Sequence, residues 1–300
     1  MNKTHTSIIK AIISLGIIYF IASHLDIRKL VETFKVINPY LIISAFLINF
    51  LLLFVMTAKW EIIIRNITNL SYKALLPIYW ASYFIGTFSF GTIGSEIYKL
   101  IYLENKKKVL LGSLSDNALS LFWYSISAAS FLSTLTISKS FSSTVVFGVI
   151  LNIILIEIVI FLNEKLGVIS KIYNLRIVHK HFGEHTLNSK ALRLHSLLSL
   201  VVILITSLTY YLVFISIGLS INIAYLIIFI PILKIGVSLP ISVQGIGVRE
   251  YLFLQFAGIL LINNEAIIVV SFIIYTLGLV LGLSGIIPFL LTQKQKLNSQ

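Results

Sequence analysis

SLPISVQGIGVREYLF, residues 238–253, separates the apolar runs LIIFIPILKIGV (226–237) and LFLQFAGILLI (252–262). The interruption holds Pro240, two glycines two apart, Gly245 and Gly247, and then Arg249 beside Glu250. A charged side chain in the middle of a membrane helix costs about 2.5–3.5 kcal/mol on insertion scales. Irregular backbone at membrane depth survives only where protein buries it or where it lines a wet cavity. The stretch therefore reads as a deliberate break in a hydrophobic chain. How the neighbouring segments are placed around it decides the fold.

The surroundings are those of a membrane protein. Of 300 residues, 58% are hydrophobic and 11% charged, against about a quarter charged in soluble domains; mean hydropathy is +0.99. Apolar runs long enough to cross about 30 Å of hydrocarbon recur along the chain. They fall near 7–25, 41–58, 77–98, 112–136, 143–163, 195–218, 222–262 (interrupted) and 266–292. The first follows Lys3 and Lys10 with no small-residue cleavage site after it, so it is expected to be a retained helix. There are no cysteines, hence no disulfide and no thiolate metal site. The net charge of +12 is read as the basic loops that orient membrane helices, not as a nucleic-acid surface.

Charge placement selects a topology. The segment 77–98 contains Phe88-Ser-Phe-Gly91-Thr-Ile-Gly94, a second glycine break. If both broken segments enter and leave on one side, seventeen of the 23 Lys and Arg, among them Lys59, Lys99 and Lys106–Lys108, fall on the inside. Arg28, Lys29, Lys35 and Lys139 fall outside, and Lys234 and Arg249 stay at membrane depth. That bias matches the positive-inside rule. The expected fold is an all-α polytopic membrane protein with about six spanning helices and two re-entrant, broken hairpins. It forms one domain over 1–292, with a polar tail at 293–300 and both termini cytoplasmic in the cell membrane. The element order then repeats with inverted orientation, about 1–137 and 143–292, as in many secondary transporters.

The two breaks carry the candidate chemistry. A helix starting near Val248 would aim its free N–H groups and dipole into the membrane interior, where such an end attracts anions. Ser242 and Gln244 could add hydrogen bonds, and Arg249 a two-pronged grip on phosphate. The competing reading is a kink in which Arg249 and Glu250 pair with each other. In the first half, Gly91 and Gly94 precede Glu96 and Lys99, which share a helix face; Lys99 also fits a snorkelling interfacial lysine. Opposed tips would let Glu96 approach Arg249, and Lys99 or Lys234 approach Glu250. Asp116, in Ser113-Leu-Ser-Asp116-Asn117, and Glu157 are candidates for charge balance or proton coupling, as is Lys234. His179, His181 and His185 lie in a polar loop whose spacing fits no metal site, and it reads as a basic loop at anionic headgroups. Trp60, Trp80, Tyr40 and Tyr98 read as an interfacial aromatic belt. No P-loop, nucleophile elbow or zincin motif is present, so neither a cofactor nor an enzymatic activity is expected.

Pro240-Ile-Ser-Val-Gln-Gly245-Ile-Gly247-Val-Arg249-Glu250 resembles the signature of a known family. It is the flippase-like transmembrane domain of lysylphosphatidylglycerol synthases (the multiple peptide resistance factor) and its stand-alone relatives. A second shared feature is the glycine turn with Gly91, Gly94, Glu96 and Lys99. Here Phe90 stands where the family has proline, and Lys99 where arginine is usual. Asp116 fits the acidic member of an acidic–arginine pair and Asn117 departs from it. The resemblance covers about residues 1–292. It implies movement of a polar-headed lipid, an anionic phospholipid or a lipid-linked glycan, between leaflets. Aminoacyl transfer is not expected, since no stretch of this sequence reads as the soluble synthase domain. The alternative expectation is a membrane-embedded accessory subunit for a lipid-modifying enzyme or glycosyltransferase.

Overall fold

The computed structural model describes residues 27–89, 91–103, 105–137, 141–166, 189–238 and 245–298. The expected first helix, the histidine loop, Ser242 and Gln244 lie outside them. The described residues are all-α: α1 (Ile27–Lys35), α2 (Pro39–Thr68), α3 (Tyr72–Phe88), α4 (Thr92–Tyr102), α5 (Lys106–Ile137), α6 (Phe141–Leu166), α7 (Ser189–Ser216), α8 (Ile223–Ser238), α9 (Val248–Leu260), α10 (Asn264–Ser284) and α11 (Ile286–Asn298).

Local sequence explains the boundaries. Asn38 accepts the Tyr40 N–H at 3.0 Å, and Pro39 occupies the first helical position, where its missing donor costs nothing. Asn69 closes α2 in the left-handed region at φ 54°. At 30 residues α2 is about 45 Å long. It runs antiparallel to α7, its start tied to that helix's end by Asn38 N–H donating to the Ser216 carbonyl at 2.7 Å.

Both broken segments fold back as helical hairpins. Gly91 takes φ +64° between α3 and α4, and Gly245 and Gly247 take +76° and +88° before α9, a region open to glycine at little cost. In the first hairpin Ser95 of α4 donates to Ser82 of α3 at 3.2 Å, and a Cβ at Gly86 would stand 3.1 Å from that of Ser95. In the second, a Cβ at Gly236 of α8 would meet Leu252 of α9 at 2.6 Å.

The helix pairings repeat. α2 packs on α3 and α5 as α7 packs on α8 and α10. The hairpins α3–α4 and α8–α9 correspond, as do the pairs α4–α5 and α9–α10. Each half sets its hairpin against the other's long helix, α3 on α10 and α8 on α5. At the α3–α10 seam, Gly278, Gly282 and Gly285 let α10 approach Tyr83, Thr87 and the Trp80 carbonyl closely. Trp80 also donates to Ser284 at 3.0 Å across it.

The outer faces are apolar. Ile43, Leu47 and Leu51 on α2, and Leu194, Leu197, Leu204 and Leu208 on α7, are exposed at helical spacing. Three stretches, Pro39–Arg65, Ser189–Ser216 and Asn264–Thr292, are long and apolar enough to cross a membrane. α5 is longer still, but its stripe Ser113, Asp116, Ser120, Ser127 and Ser130 is buried and faces inward. The protein is an all-α membrane protein with a polar interior and a lipid-compatible surface.

Two expectations change. α2 continues ten residues beyond the expected end at 58, so Lys59 is not in a loop but 1% exposed inside the bundle. Trp60 and Tyr98 are not belt residues. Trp60 is fully buried and donates to Ser113 at 3.0 Å, and Tyr98 shares a 2.6 Å hydrogen bond with Thr292. Burial suits each because its polar atom has a partner. Tyr40, 78% exposed, does lie at the surface.

Candidate functional site

The polar interior is built from the two hairpins and the helices they lean on. α9 begins with Val248, so Arg249 and Glu250 occupy its first turn. Glu250 reaches back. One carboxylate oxygen accepts the Gly247 N–H at 2.7 Å and the other accepts the Ser271 hydroxyl of α10 at 2.9 Å. This is the carboxylate half of a capping box. It alters the expectation for this helix end, which already has an internal carboxylate upon it. Arg249 lies over the Tyr275 ring of α10, 5.3 Å from its centroid, and its charge also acts on Tyr83 of α3 and Tyr210 of α7.

Lys234 of α8 is only partly buried. Among the described residues, the charges that act on it are both positive, Lys59 and Arg249. Lys59 donates to Ser120 of α5 at 2.6 Å and lies 5.6 Å from the Tyr124 ring centroid. Three cations from α2, α8 and α9 thus share one interior region, with tyrosine rings among them.

In the first hairpin, Glu96 and Lys99 form an ion pair of 2.9 Å, their side chains 13% and 6% exposed. Lys99 also lies 4.8 Å from the Trp60 ring and 4.9 Å from the Tyr79 ring. The expected contact of Glu96 with Arg249 is replaced by this local pair, because three residues on a helix already bring the two groups together. Likewise Glu250 is met by Gly247 and Ser271 instead of by Lys99 or Lys234. Lys99, expected either inside a cavity or snorkelling, is buried. Gly91 and Gly94 shape the turn beneath this pair, Gly94 pressed against Ser89.

Asp116 joins the interior from α5. Its carboxylate meets His195 Nε2 of α7 at 2.8 Å, and Lys59 and Lys99 act on it as well. Glu157 does not join. It pairs with Arg193 at 3.1 Å, both side chains about half exposed on the outer side of α6 and α7.

Among the described residues the interior holds four cations, Lys59, Lys99, Lys234 and Arg249, and three carboxylates, Glu96, Asp116 and Glu250. Each carboxylate is already engaged. The balance is therefore positive, in a region of low dielectric where such an excess attracts an anion. Among the described residues no cluster of His, Asp and Glu could hold a metal ion.

Sequence reading missed Lys59, His195, Trp123 and the tyrosines. One signal was present: Ser113, Asp116 and Ser120 recur at helical spacing in an apolar run, which marks an inward polar stripe.

No curated protein and no solved structure matches the chain. A family profile described as the lysylphosphatidylglycerol synthase TM region matches residues 7–289. Since that match covers nearly all of the sequence, the chain belongs to this family of membrane regions.

Proposed function

We propose that the protein is a lipid translocase that carries an anionic headgroup, of a phospholipid or a lipid-linked glycan, between leaflets of the cell membrane. Family membership supports a lipid-related role in the membrane. The observation that carries the reading is Lys234, whose electrostatic neighbours Lys59 and Arg249 are also cations. A phosphate seated among them would relieve their mutual repulsion and gain charge-assisted hydrogen bonds, two-pronged from Arg249.

The repeated pairings support a route for transport. In this reading α2–α5 and α7–α10 are inverted repeats, their hairpin tips meet near mid-depth, and both termini are cytoplasmic. Rocking one repeat against the other would expose the cations first to one leaflet and then to the other. The acyl chains would stay in hydrocarbon while the headgroup crosses through the polar interior. No covalent step is required, so the protein acts as a carrier and not as an enzyme.

The test is reconstitution of the full-length protein into liposomes containing headgroup-labelled phosphatidylglycerol, with a membrane-impermeant quencher. Labelled lipid should become accessible from the inner leaflet faster than in protein-free vesicles. An unchanged rate for phosphatidylglycerol and for a labelled polyprenyl phosphate would refute the reading.

A further inference from the structure

Asp116, His195 and Trp123 lie 6%, 1% and 1% exposed at the contact of α5 with α7. Trp123 Nε1–H donates to His195 Nδ1 at 3.1 Å. An indole N–H can only donate, so Nδ1 carries a lone pair and the single ring proton sits on Nε2. That proton points at Asp116 Oδ1, 2.8 Å away. The arrangement therefore holds His195 neutral beside an ionised carboxylate. Asp116 is also tied to the cation cluster, since Lys59 acts on Asp116, on His195 and on Lys234.

We propose that this triad is a proton-binding site coupled to the anion site, so that one proton is taken up with the headgroup and released with it. The proposal rests on the anionic-lipid reading above and supplies its energy source.

The proton has one place to go on the ring. It binds Nδ1, giving an imidazolium whose new N–H faces the Trp123 N–H. Two donors cannot share that contact, so the indole must withdraw. Trp123 is packed among Ile63, Leu119, Ile156, Ile160 and Leu192. Its withdrawal shifts the contact between α5, in the first half, and α7, in the second. Protonation thereby biases how the halves pack, the kind of two-arrangement element that coupling needs. Its charge reaches the anion site through Lys59. An anion held by Lys59 and Lys234 offsets the added proton, and by linkage each ligand then strengthens the other's binding.

Among the described residues, the groups facing the pair from the packed elements are few. Lys59 comes from α2, Tyr79 from α3, Lys99 from α4 and Tyr124 from α5. From α8, Lys234 is linked to the pair through Lys59. Glu157 of α6 is taken by Arg193, and Tyr275 of α10 stands at Arg249.

Two measurements on the purified full-length protein test this. In weakly buffered solution, dihexanoyl phosphatidylglycerol should bind with uptake of about one proton, and its affinity should rise by up to about tenfold per unit fall in pH above the His195 transition. His195→Gln, whose amide can accept from Trp123 and donate to Asp116, should bind the lipid with no proton uptake. Binding without uptake in the wild type, or equal uptake in His195→Gln, overturns the proposal. Separately, without lipid, the fluorescence difference between wild type and Trp123→Phe should change as pH falls and stay flat in a His195→Gln background. A titration with no lipid binding at any pH upholds the proton site and refutes the lipid reading. Lipid binding with no titration overturns the proton site and spares the lipid reading.

Discussion

The Glu250 carboxylate accepts the backbone N–H of Gly247 at 2.7 Å, closing the turn that sets Arg249 against Tyr275. The acid of the Arg-Glu dipeptide thus serves the backbone, while the guanidinium of its neighbour lies over an aromatic ring of α10. Loss of a capping side chain costs about 1 kcal/mol, and loss of the Ser271 bond adds to it. We expect Glu250→Ala to lower the unfolding midpoint in detergent and Glu250→Gln, which keeps the cap, to lower it much less. Equal losses in both would place Glu250 in an ion pair instead.

Lys234 behaves oppositely. Its charged neighbours Lys59 and Arg249 repel it, so Lys234→Met should leave thermal stability unchanged or raise it. The same substitution should weaken binding of short-chain anionic lipid by at least about tenfold, the loss of one charge-assisted hydrogen bond. Calorimetric titration and a melting curve on one preparation check both.

The Glu96–Lys99 pair is a buried one at 2.9 Å. Removing one partner strands the other's charge, which costs about 3–5 kcal/mol, whereas replacing both by apolar residues is near neutral. Glu96→Leu should therefore destabilise strongly, and adding Lys99→Met should recover most of the loss. A double-mutant cycle by denaturation reads the coupling.

Two glycines give contrasting expectations. A Cβ at Gly282 would meet Thr87 at 2.6 Å, so Gly282→Leu should force α10 off α3 and cost about 1–3 kcal/mol. A Cβ at Gly258 of α9 meets nothing within 4 Å. There Gly258→Ala should stabilise by about 0.5–1 kcal/mol through helix propensity. Thermal melts of the two variants decide it.

The sequence made the hairpins legible because glycine, proline and charge in an apolar run leave few physical alternatives. Gly91, Gly245 and Gly247 do sit at positive φ. The partners were not legible. Glu96 could be placed on a face with Lys99, yet nothing in one dimension said that this contact would pre-empt Arg249. Lys59 was hidden because the apolar run reads as ending at 58, and a helix continuing into its own charge reads as a loop. Trp60 and Tyr98 follow the belt pattern by position, and only packing shows that Ser113 and Thr292 receive their polar atoms. His195 stands alone at the edge of a run, and its partners Asp116 and Trp123 are 79 and 72 residues away.

The decisive measurement is the flip rate of headgroup-labelled phosphatidylglycerol in liposomes holding wild-type protein or the folded Lys234→Met variant. If the cation cluster carries the headgroup, wild type accelerates flipping over empty vesicles and Lys234→Met loses most of that acceleration. Equal flipping by both proteins would contradict it.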